Sequence, residues 1–131
     1  MSDRVVLSVP PKGEFAKTVR MTAAALGSRI GMTFDEVDDM RIAAEEAFVY
    51  ACDRASAGVP VDIAFEMGSD ALEMLVGPIP AGAGDGDDRE GSRYASFILE
   101  SVADEFEMLA EEVGSYVRVV KRAGRTEGSR G

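Results

Sequence analysis

The sequence predicts an α+β fold: a two-layer α/β sandwich with helices on one face of a mixed, mostly antiparallel sheet. Three observations lead there. Short runs of apolar alternation recur, which is the period of a half-buried strand. Two longer stretches repeat apolar residues every three or four positions, the period of an amphipathic helix. The elements follow in the order strand, helix, helix, strand, strand, helix, strand, strand, and the paired strands are joined by turns too short for parallel crossovers.

The first strand is read from Val5, Leu7 and Val9, which alternate with Arg4, Val6 and Ser8 until Pro10-Pro11 ends the run. Helical spacing over 14–30 follows, through Phe15, Val19, Thr22, Ala23, Leu26 and Ile30, with Gly27 a weak point and Gly31 the stop. The second helix, 34–56, opens on Thr33 with Glu36 three residues on, the pattern of a capping box. Its period runs through Phe34, Val37, Met40, Ala43, Ala44, Ala47, Phe48 and Ala51. So many alanines imply close packing against a neighbour. Acidic residues Asp35, Glu36, Asp38 and Asp39 fill its first turns, where the helix dipole favours them.

Two alternating runs, 61–67 and 71–77, flank the turn Gly68-Ser69-Asp70 and predict an antiparallel hairpin ending at Gly77-Pro78. Residues 80–90 are rich in Gly, Ala and Asp and carry no period, which predicts a flexible loop. A third helix is expected over 92–103, with Tyr94, Phe97, Ile98, Ser101 and Val102 facing inward. Phe106 and Met108 predict a strand to Ala110, and 115–121 a last one with Val117 and Val119 on one face. The expected organisation is one domain, 1–122, and a flexible basic tail, 123–131.

Composition narrows the function. In 131 residues there are 14 Lys plus Arg and 24 Asp plus Glu, a formal net charge of -10. A duplex-binding surface needs positive charge to displace counterions, so direct nucleic-acid binding is not expected. Hydrophobic residues make up 46%, enough for a real core. The single cysteine, Cys52, and the absence of histidine exclude an intrachain disulfide, a zinc site of the usual kind and His-based catalytic triads. No apolar run long enough to cross a bilayer is present, and no signal peptide is expected. A cytoplasmic setting is therefore the expectation.

Few residues stand out as chemistry. Of the adjacent Glu45 and Glu46, Glu46 lies nearer the apolar stripe, where burial would raise a carboxyl pKa toward that of a general base. Asp85, Asp87 and Asp88 miss the spacing of a calcium loop, because Ser96 stands where its last carboxylate belongs, so no metal site is expected. Gly82, Gly84 and Gly86 lack the lysine of a phosphate loop. Cys52 is expected as a buried thiol and the aromatics at core spacing, with no exposed row. Lys121, Arg122, Arg125 and Arg130 form a basic end.

The segment Asp39-Met-Arg-Ile-Ala-Ala-Glu-Glu-Ala-Phe-Val-Tyr-Ala-Cys-Asp-Arg54 resembles the long helix of bacterial anti-sigma factors that are serine kinases of the histidine-kinase-like (GHKL) ATPase fold. The resemblance runs on through the 61–77 hairpin, the Asp104-Glu105-Phe106 ending of the third helix and the strand Val119-Val-Lys-Arg122. It implies that Glu46 is the general base of an active member. The family's magnesium-holding asparagine falls on Tyr50, and its following histidine on Arg54. Its adenine-reading aspartate box falls on Val76-Gly-Pro-Ile-Pro80, with Pro78 where an acceptor would stand. Its glycine-rich turn falls on the segment from Gly91, with Arg93 and Ala95 in place of glycines. These departures all fall in the nucleotide site. The resemblance thus implies a regulatory protein of the anti-sigma type with weak or lost ATP binding, no cofactor, and a sigma factor or anti-anti-sigma antagonist as partner. The alternative is an active serine/threonine kinase that uses ATP and magnesium on its antagonist. Members of the family commonly pair, so a homodimer is also implied.

Overall fold

The computed structural model describes residues 3–80 and 89–124. Five strands, β1 (Asp3–Val9), β2 (Val61–Met67), β3 (Ala71–Ile79), β4 (Glu105–Glu111) and β5 (Gly114–Arg122), form one sheet in the order β1-β2-β3-β5-β4. Each of its four pairings is antiparallel. Helices α1 (Ala16–Arg29), α2 (Phe34–Arg54) and α3 (Arg89–Val102) cover one face. The expected two-layer α+β architecture is what the chain adopts.

Register explains why that face is apolar. Val5, Phe65, Met74, Val119 and Phe106 lie in one row across all five strands, and Leu7, Ile63, Val76, Val117 and Met108 in the next. The central members of each row are fully buried. Residues two apart along a strand share a face, so alternation alone directs these side chains to the helices. At β3 the register shifts between Val76 and Ile79 around a cis Gly77–Pro78 peptide, and the strand runs past its expected end to Ile79. A Cβ at Gly77 would sit 2.7 Å from the Ser115 carbonyl oxygen, so the close approach of β3 and β5 requires glycine there.

The long helix α2 is the centre of the helical layer, touching α1, α3, β2, β3 and β5. Ala43, Ala44, Ala47 and Ala51 are buried, and their small side chains let the flanking helices approach. Its capping box is complete. Thr33 Oγ1 accepts the Glu36 N–H, and Glu36 Oε1 accepts the Thr33 N–H at 2.8 Å. The second carboxylate oxygen of Glu36 accepts the Gly124 N–H at 2.7 Å. Lys121 Nζ reaches from β5 to Asp39 Oδ2 at 3.0 Å and to the Val102 carbonyl at 2.9 Å, tying the sheet to α2 and to the end of α3. Helix α1 continues through Gly27 and ends before Gly31, whose φ of 89° is a left-handed stop.

Several expectations require correction. Helix α3 begins at Arg89, and its buried stripe is Ala95 and Leu99 with Ile98 and Val102 beside it. Tyr94 and Phe97 face solvent, 63% and 68% exposed, and Ser101 is exposed as well. Apolar residues at 94, 95, 97, 98, 99 and 102 fit more than one helical stripe, so period alone left the rotation open. Phe34, expected on the inner stripe, is 82% exposed because it is the first residue after the cap and projects beyond the packed layer. Exposed aromatics therefore do occur. Ala123 and Gly124, assigned to the tail, are held by the Asp70 carbonyl and by Glu36; residues 125–131 lie outside the described residues. So do 81–88 of the expected loop, while 89 and 90 open α3.

Candidate functional site

Glu46, Tyr50 and Arg54 are spaced by four on α2, which places them along one side of the helix. The structure joins the last two directly. The Arg54 guanidinium lies 3.5 Å over the centre of the Tyr50 ring, and its Nη1 donates to the Tyr50 carbonyl oxygen at 2.8 Å. Arg54 is only 9% exposed, so the cation–π contact is made away from bulk water, where it is strongest. Tyr50 itself is half-buried.

Glu46 is half-buried, and burial raises its carboxyl pKa above the ordinary value; the charges of Glu45 and Asp53 add to the rise. Glu45 diverges from it and pairs with Arg20 of α1 at 2.8 Å. The two adjacent carboxylates thus have different partners, as their separation around the helix requires. Sequence reasoning passed over Asp53, although it lies seven residues beyond Glu46, two helical turns along the same side. It passed over Arg20 for a sounder reason, since no spacing rule joins residues on different helices.

Elements flanking α2 carry the other candidate positions. Pro78 is half-buried in β3. Gly91, Arg93 and Ala95 lie within α3; the first two are exposed and Ala95 is buried in the helical packing. The positions matching a glycine-rich turn are therefore helical here. Cys52, expected buried, is half-buried and borders a cleft of about 600 Å³ between the end of α2 and Pro10-Pro11. Its thiol is pushed up to about 11 by burial and by Asp53, which makes it a poor nucleophile.

The fit of a nucleotide with magnesium is judged from the donor set. Magnesium takes oxygen ligands, and position 50 offers a phenol ring covered by a cation, with its backbone carbonyl engaged by that cation. Among the described residues no cluster of three or more Asp, Glu, Cys or His is placed to hold a metal ion. Asp85, Asp87 and Asp88 lie outside the described residues. No helix among the described residues is long and apolar enough to cross a membrane.

No protein-family model matches the sequence. Individual proteins do. The chain is similar to the serine-protein kinase RsbW of Halalkalibacterium halodurans, 28% identical over an alignment of 142 positions covering 95% of this chain and 86% of the relative. Against the serine-protein kinase RsbW of Bacillus subtilis it is 33% identical over 78 positions, 57% of this chain and 49% of the relative. Against that of Bacillus cereus it is 30% identical over 77 positions, 56% and 48%. In both Bacillus proteins the likeness spans about half of the relative's length. Together these are a distant and partial match to RsbW-like anti-sigma kinases of the GHKL superfamily.

Proposed function

We propose that this chain is a regulatory binding protein of the anti-sigma type whose ATP binding is weak or lost. One observation carries the reading: the Arg54 guanidinium on the Tyr50 ring stands where the family's magnesium ligand is expected. A cation fixed at that point repels a second one, and a phenol does not replace an amide oxygen. Two further positions agree with it. Pro78 has neither a backbone donor nor a polar side chain for the adenine amino group. Ala95 is a packing residue inside α3, not part of an open turn of backbone donors.

The partner is a sigma factor or an anti-anti-sigma antagonist, held by protein–protein contact in the cytoplasm without nucleotide, nucleic acid or membrane, and the chain is free to pair with a second copy. Titration calorimetry with ATP and magnesium tests the nucleotide half of this reading. The expected dissociation constant is above about 1 mM. Magnesium-dependent binding in the micromolar range would overturn it.

Glu46 favours a second reading, an active protein-serine/threonine kinase using ATP and magnesium on its antagonist. Burial and the neighbouring Glu45 and Asp53 raise its carboxyl pKa, the direction in which a general base is tuned. On that reading Glu46→Gln leaves nucleotide binding intact and abolishes transfer to the partner's serine. Should ATP fail to bind wild type, Glu46 has no phosphoryl donor to serve.

A further inference from the structure

The face of the sheet turned away from the helices is uncovered in the described chain. Val6, Ala64 and Leu75 lie side by side on β1, β2 and β3. With Leu109, Val113 and Tyr116 of the β4–β5 hairpin they line a groove of about 390 Å³. Val6 is 53% and Val113 68% exposed, so the groove holds apolar surface in contact with water.

Around it the same face is acidic. Alternation along the strands brings six carboxylates to this side: Asp62, Glu66, Glu73, Glu105, Glu107 and Glu111. Among the described residues only three cations accompany them, and each is already engaged. Arg4 pairs with Glu66 at 2.5 Å and Arg122 pairs with Glu105. Arg118 is shared among Glu73, Glu105 and Glu107. Asp62 and Glu111 border the groove itself, as does Arg4, whose charge is taken up by Glu66.

We propose that this groove docks a cationic amphipathic helix of another protein, its apolar stripe on Val6, Leu75, Leu109 and Val113 and its basic flanks over the surplus carboxylates. Charge decides between this occupant and a second copy of the chain. Two copies meeting face to face would oppose two surfaces of the same sign, with Arg4, Arg118 and Arg122, the arginines of this face among the described residues, already committed. A basic helix meets the apolar floor and the acidic rim together. Size agrees: five strands at about 4.8 Å spacing span roughly 19 Å, the length of a helix of about 13 residues. The inference does not depend on whether the chain binds nucleotide, nor on a sigma factor being the partner.

The test uses the full chain, isotopically labelled, and a synthetic helical peptide of about 18 Leu and Lys residues as the probe, with a Leu/Glu peptide of the same pattern as control. The Lys peptide is expected to shift the amide signals of Val6, Ala64, Leu75 and Tyr116, and to bind at least tenfold tighter than the Glu peptide. Its affinity should fall by about tenfold from low to near-molar salt, where screening is short-ranged. Glu107→Lys with Glu111→Lys should weaken it by a similar factor, while Glu14→Lys with Asp35→Lys, the same charge change on the helical side, should not. Val113→Asn, in the exposed hairpin turn, provides a second variant if the paired substitution perturbs folding; it should weaken binding at unchanged charge. Shifts confined to α1 and α2, equal binding of both peptides, no binding at millimolar peptide, or a concentration-dependent dimer whose contacts run through Val6 and Val113 would each overturn the proposal.

Discussion

Removing the Glu36 carboxylate should destabilise the protein by about 2 kcal/mol, and half of that loss is invisible in the local sequence. One oxygen of Glu36 closes the capping box on the Thr33 N–H at 2.8 Å, and the other accepts the Gly124 N–H at 2.7 Å. Both bonds are charge-assisted but lie near the surface, so each is worth about 1 kcal/mol, below the usual range for buried ones. The favourable placement of a carboxylate in the first helical turn adds a few tenths, roughly 0.3 kcal/mol. Glu36→Ala loses all of this. Glu36→Gln keeps one acceptor oxygen and should lose about half. Thr33→Ala removes only the reciprocal cap bond to the Glu36 N–H, at a cost of about 1 kcal/mol. Urea denaturation reads the difference: with a slope of about 2 kcal/mol/M, Glu36→Ala moves the midpoint down by about 1 M. Amide exchange separates the two roles. The Gly124 amide should lose protection in Glu36→Ala and keep it in Thr33→Ala. A midpoint shift under about 0.3 M in Glu36→Ala, or unchanged exchange at Gly124, would refute the double role.

Two further outcomes are expected. Because Glu46 has a raised carboxyl pKa in the folded chain, the folded state holds its proton more tightly than the unfolded one. Its ionised form is therefore a cost, absent below the ordinary carboxylate pKa and complete above the raised one, and stability falls as pH rises through that window. Glu46→Gln should flatten that slope and leave the protein at least as stable near neutral pH, as read by urea titrations across a pH series; a destabilised Gln variant contradicts the sign. Cys52, with its thiol pushed up to about 11, should react with iodoacetamide about 100-fold more slowly than a free cysteine at mildly alkaline pH, followed by mass spectrometry. A rate within about fivefold of the free thiol would show that the sulfur is better solvated than its position on α2 indicates.

Element type and order were legible because they rest on local periods. Alternation at 61–67 and 71–77 and the three-to-four spacing through Met40, Ala44, Ala47 and Ala51 each have one geometric solution, and the Thr33–Glu36 box marks the start of α2 within a few residues of chain. The nearness of Glu46, Tyr50 and Arg54 was legible for the same reason, since a helix turns spacing by four into adjacency. What the sequence did not contain was the direction of elements whose partners are distant. The apolar residues of α3 cover more than one stripe, and only packing against α2 chose Ala95 and Leu99 over Tyr94 and Phe97. The stacking of Arg54 on Tyr50 depends on rotamers, which spacing permits but does not select. The grip of Glu36 on Gly124, 88 residues away, and of Lys121 on Asp39, 82 away, exists only once β5 lies beside α2. So does the acidic, groove-bearing face of the sheet, which takes residues from all five strands: alternation gives each strand two sides, and only the tertiary structure decides which side the helices leave in water.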